Sequence, residues 1–92
     1  MYILKDGKPF TFGTAEEPER FSLPSMPRLS FQQAKQVRDI EQEPDTEERG
    51  KLIKDFILAA NPELEQLNIG DFEYFNIYSA WVKHEGADRL GE

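Results

Sequence analysis

The chain has 92 residues, of which 38% are hydrophobic and 32% charged; it has no cysteine, and 11 Lys and Arg against 18 Asp and Glu give a net charge of −7. One domain is the natural reading of this length, and without cysteine, disulfides, thiolate catalysis and Cys-based metal sites are excluded. No apolar run approaches the roughly 20 residues of a membrane helix, and an acidic chain with dispersed cations is a poor grip for phosphate backbones, so neither a membrane nor a nucleic acid is expected as partner.

The opening Met1-Tyr2-Ile3-Leu4-Lys5 has no charged n-region and no long apolar h-region, which predicts no secretory leader. Tyr2-Ile3-Leu4 and Phe10-Thr11-Phe12 flank Asp6-Gly7, a two-residue turn signal, and predict a hairpin over 1–13. Pro9 cannot donate to a ladder and so belongs at an edge. Residues 14–29 read as an extended arm laid across the helices. Within it Phe21-Ser22-Leu23 alternates as a short third strand would, and Pro24 and Pro27 stop regular structure on either side of Met26.

A first helix starts at Ser30, where Gln33 completes a capping box and Leu29 can staple against Ala34. Phe31, Ala34, Val37 and Ile40 form its apolar stripe, and it fades over 41–43, before Pro44. A second helix starts at Asp45, with Glu48 at the box position and Leu52, Ile53, Phe56, Ile57 and Ala60 on one face. Phe56 and Ile57 are core candidates. Gly50 lies inside this helix at a cost of up to about 1 kcal/mol. Asn61-Pro62 ends it, and Pro62 opens a short turn carrying Leu64 and Leu67. A third helix is predicted from Asn68 to about His84, with Gly86 as its C′ residue. The tail over 86–92 should fray. The whole is a single domain, 1–92, mainly α, with three principal helices over 30–85 and an N-terminal β-hairpin; an α+β arrangement is the variant.

Catalytic chemistry has little to draw on. His84 is the only histidine and lies in a polar context without partners, as a surface residue would. The glycines are scattered and make no phosphate loop. No catalytic residue, cofactor or metal site is expected. The acids Asp39, Glu41, Glu43, Asp45, Glu47 and Glu48 crowd ten positions. They read first as a solvated loop with helix-dipole charges. Glu41, Glu43, Glu47 and Glu48 are also candidates for docking a basic partner. A calcium loop is disfavoured by Pro44 and by the lack of a central glycine.

The third helix carries the most information. At roughly 100° per residue, Ile77, Trp81, Tyr74, Tyr78, Val82, Phe75 and Phe72 span an arc of about 220°, against about 100° for an ordinary surface helix. Two compatible arrangements follow: a core helix enclosed by the hairpin and two helices, or a helix with part of its arc free for a partner. Phe72, Tyr74, Phe75, Tyr78 and Trp81 are the candidate contact residues, with Tyr74, Tyr78 and Trp81 foremost because they pair a large ring with a polar handle.

The run Phe21-Ser22-Leu23-Pro24-Ser25-Met26-Pro27-Arg28-Leu29-Ser30 leading into a helix resembles the tail assembly chaperones of long-tailed bacteriophages, especially those infecting actinobacteria. So do the acidic gap, the apolar helix with Leu52-Ile53-Lys54-Asp55-Phe56-Ile57, the link Leu67-Asn68-Ile69-Gly70-Asp71-Phe72 and the closing Ala80-Trp81. The resemblance covers about residues 21–83. It implies a non-enzymatic protein of the host cytoplasm that binds the hydrophobic tape measure protein and keeps it soluble while tail tube subunits assemble. It also implies a helical, often self-associating chain, and in many phages a longer form made by ribosomal frameshifting. The family has no catalytic residues to carry over. The alternative function is that of a small acidic inhibitor, mimicking nucleic acid on a host protein through the acids at 39–48.

Overall fold

The computed structural model of the chain describes residues 9–90. It is mainly α, with an N-terminal β-hairpin. Strand β1 (Phe10–Phe12) pairs antiparallel with β2 (Phe21–Leu23), placing Phe10 opposite Leu23, Thr11 opposite Ser22 and Phe12 opposite Phe21. A 3-10 turn (Met26–Arg28) leads to α1 (Phe31–Gln42) and α2 (Thr46–Ala60), and a second 3-10 turn (Pro62–Leu67) leads to α3 (Asp71–Leu90). The segment read as a third strand is therefore the partner of Phe10–Phe12 within the described residues. Tyr2-Ile3-Leu4 and the Asp6-Gly7 turn lie outside them.

The loop that closes the hairpin is built on one acceptor. The Glu17 carbonyl takes the N–H groups of Thr14 (3.1 Å) and Arg20 (3.2 Å), while the Thr14 hydroxyl takes the Glu17 N–H at 3.1 Å. On the far edge of β2 the Asn61 carboxamide bonds both backbone groups of Ser22. It accepts from Ser22 N–H at 3.2 Å and donates to Ser22 C=O at 2.8 Å. Those two groups are thereby satisfied without a third strand.

Helix starts follow their caps. Ser30 Oγ accepts from Gln33 N–H at 3.1 Å and Gln33 Oε1 accepts from Ser30 N–H at 3.0 Å, so the capping box is complete. Asp45 caps α2 by accepting from Glu47 N–H at 3.2 Å. Glu48 does not complete a box there; it turns to Lys51, 3.3 Å away. The start of α3 differs from the sequence reading. Asn68 stands at φ +51°, a left-handed conformation that ends the second 3-10 turn, and the helix begins three residues later at Asp71. Asn tolerates that region better than other residues with a side chain. At its other end α3 runs past Gly86 to Leu90. One helical glycine costs only about 1 kcal/mol, and no proline follows to enforce a stop.

The central helix is α2, packed against both α1 and α3, with β2 and the second 3-10 turn also lying on it; β1 lies on α3. Ile53, Phe56 and Ile57 of α2 are buried, and they join Ile40 of α1, Phe21 and Leu23 of β2, and Leu64 in one core. The α1 stripe is shorter than its spacing predicts. Ile40 is buried and Val37 half-buried, but Ala34 is exposed and Phe31 is 99% exposed, because the first turns of α1 project beyond the core. Trp81 of α3 is 0% exposed and its indole N–H donates to the Pro24 carbonyl at 3.0 Å.

Two substitutions should separate core from cap. Trp81→Ala is expected to remove about 3–5 kcal/mol, a large fraction of a small domain's total stability. Ser30→Ala is expected to cost about 1 kcal/mol. Urea unfolding followed by circular dichroism measures both.

Candidate functional site

The rings of α3 divide by position on the helix. Tyr74, Tyr78 and Trp81 follow i, i+4, i+7 spacing and form its buried stripe, at 3%, 3% and 0% exposure. These three were the foremost contact candidates, and the structure places them in the core instead. Two of the three have their polar atom satisfied inside the chain, and the third has a cation over its ring. Tyr78 Oη donates to Glu41 Oε1 at 2.6 Å, Trp81 donates to Pro24, and the Lys54 ammonium lies 5.6 Å from the centre of the Tyr74 ring. Tyr78 and Trp81 also pack on Phe56, at 6.4 and 5.4 Å between ring centres.

The other two candidates lie at the end of the arc that α2 covers only in part. Phe75 is half-buried and Phe72 is 82% exposed, with ring centres 6.5 Å apart. Together they line a groove of about 690 Å³ between the first half of α2 and the first turns of α3. Asp45, Thr46, Glu47, Gly50, Lys51, Lys54 and Asp71 complete its lining. Gly50 makes the groove possible: a Cβ at this position would stand 2.9 Å from Phe75 Cε2. The helix-weakening glycine is thus the seat of an aromatic ring, a role that periodicity on α2 alone could not reveal. A smaller apolar depression of about 340 Å³ lies across the hairpin, the second 3-10 turn and the other flank of α3, with Phe12, Leu67 and Ile77 among its lining.

The acidic run is largely engaged within the chain. Glu41 accepts the Tyr78 phenol and stands 3.7 Å from the Arg49 guanidinium. Glu43 Oε1 accepts the Asp45 N–H at 3.1 Å, and Glu48 pairs with Lys51. Glu47 lines the groove. His84 is half-buried rather than a plain surface residue, its ring 5.5 Å from that of Phe10. Among the described residues no group of three or more His, Asp or Glu is placed to hold a metal ion, and no helix is long and apolar enough to cross a membrane. Burial, reinforced by the hydrogen bond to Glu41, pushes the Tyr78 phenol well above its ordinary 10.0.

A scan against protein-family models finds no match, and searches of curated proteins and of solved structures find none either.

Two predictions follow from this geometry. Gly50→Ala should not deliver the roughly 1 kcal/mol that helix propensity promises, because Phe75 must swing away from α2. In the Phe75→Ala background the same change should stabilise, so a double-mutant cycle should show coupling of at least about 0.5 kcal/mol. The raised Tyr78 value gives stability that is complete below the unfolded value near 10 and is lost as pH rises through the folded one. Wild type should therefore lose stability above about pH 10 more steeply than Tyr78→Phe does, as measured by urea unfolding across an alkaline series.

Proposed function

We propose that the protein is a non-enzymatic chaperone of phage tail assembly, acting in the host cytoplasm, which holds apolar segments of the tape measure protein in the α2–α3 groove. The observation that carries this reading is Phe72, 82% exposed beside Phe75 over an apolar floor. An isolated exposed leucine or alanine needs no explanation, but paired phenylalanines on a groove mark a surface suited to a partner. Burying one such ring contributes about 1.5–3 kcal/mol. A net charge of −7 keeps a chain that bears such a surface in solution. The resemblance over residues 21–83 supports the same assignment and names the client. The groove lies within that span, at the Asp71-Phe72 end of the link and on the apolar helix. The acidic-inhibitor reading has no comparable support, since Glu41 is taken up by Tyr78 and Arg49, Glu43 by the Asp45 N–H of the link between α1 and α2, and Glu48 by Lys51 within α2.

Co-expression with a tape measure protein tests the proposal. The wild-type chain should raise the soluble fraction of the client and co-elute with it. Phe72→Asp should lower the co-eluting client about tenfold, equivalent to about 1.4 kcal/mol. The new carboxylate sits in the first turn of α3, where negative charge is favoured, so the variant keeps its fold. Client solubility that does not respond to the chain, or a variant that works as well as wild type, would defeat the proposal.

A further inference from the structure

The α2–α3 groove, read as a client site, has a rim whose charges are unevenly answered. Lys51 Nζ has Glu48 Oε1 at 3.3 Å, and Lys54 Nζ has Asp71 Oδ1 at 3.6 Å, so both groove cations are paired within the chain. Among the described residues Asp45 and Glu47 have no cation within ion-pair distance. Glu48, Glu47 and Asp45 together hold the Lys51 ammonium above its ordinary range, which places that end of the groove in a net negative field. The N-termini of α2 and α3 also open here, and their partial positive charge would ordinarily favour an anion. It is already met by the Asp45 cap on one and by Asp71 and Glu73 in the first turn of the other.

The backbone groups around the groove decide the form of the guest. The lining residues from Thr46 to Lys54 belong to α2, and Asp71, Phe72 and Phe75 to α3. Beyond their first turns, these backbones are bonded within their own helices. An extended guest would find few main-chain partners there, whereas a helix brings its own hydrogen bonds and presents only side chains.

We infer that the groove takes an amphipathic helix whose apolar stripe lies on Phe72 and Phe75 and whose flank carries Lys or Arg against Asp45 and Glu47. This rests on the client-site reading and adds to it the charge and the secondary structure of the segment bound. The net charge of the chain draws such a cationic helix in from a distance, and the paired phenylalanines hold it once docked.

Two synthetic helical peptides test this. They share one leucine stripe and differ only in carrying Lys or Glu along its flanks; binding is read by titration calorimetry. The Lys peptide should bind about tenfold tighter than the Glu peptide at low salt, and the gap should close as salt rises. Glu47→Lys combined with Asp45→Asn, which keeps the helix cap, should abolish or reverse the preference. Equal affinity for both peptides, lost in Phe72→Asp, overturns the charge inference and leaves the groove reading standing. Binding that Phe72→Asp does not alter overturns the groove reading itself. Binding of neither peptide overturns the inference, as does a dimer of the free chain that Phe72→Asp disperses, which would give the groove to a second copy.

Discussion

The hydrogen bond from the Trp81 indole to the Pro24 carbonyl joins residues 57 positions apart, and the rest of the fold is arranged around it. The indole is fully enclosed by Phe56 and Tyr78, where an unpaired N–H would cost about 1–3 kcal/mol. Meeting that demand fixes the arm between Leu23 and Ser25, both buried, against the helical core. With Pro24 held, β2 lies on α2 and β1 follows on α3. A hairpin that could not stand alone thus becomes the lid of a core that needs the carbonyl of the residue that follows it.

The same demand explains how the aromatic surface is divided. On α3 the enclosed rings are those with a polar atom, and Glu41 and Pro24 receive the donors of Tyr78 and Trp81. The phenylalanines of α3 have no polar atom to satisfy and no directional hold on the interior. They stay at the end of the arc that α2 covers only in part, one resting on Gly50 and the other in solvent. A polar handle is an advantage at an interface, but it is equally an anchor within a small core, and here the anchor dominates.

Local signals in the sequence were the most legible. Ser30 with Gln33, Asp45, Asn61-Pro62 and the Ile53–Phe56–Ile57 face act over a few residues, and each appears where its chemistry places it. What spacing could not supply was the choice of neighbour. Asn68 has the credentials of a helix cap but spends its conformational latitude on a left-handed turn. Phe31 is in register with Ile40, yet nothing stands opposite it. The breadth of the α3 arc announced surplus aromatic area. Its resolution into an enclosed stripe and an open edge depended on where α2 crosses, and on the room that Gly50 leaves for the Phe75 ring, which appears only with the two side by side.

Asn61 has a consequence beyond ending a helix. Its amide N–H closes the last turn of α2 on the Ile57 carbonyl at 2.9 Å, while its side chain imitates a neighbouring strand along Ser22. An open strand border invites β-augmentation by any extended chain, a hazard for a protein whose work would be to consort with insoluble polypeptide. By sealing that border of β2 with a carboxamide instead of another strand, the fold withdraws one side of its small sheet from the pairing that leads to cross-β stacking.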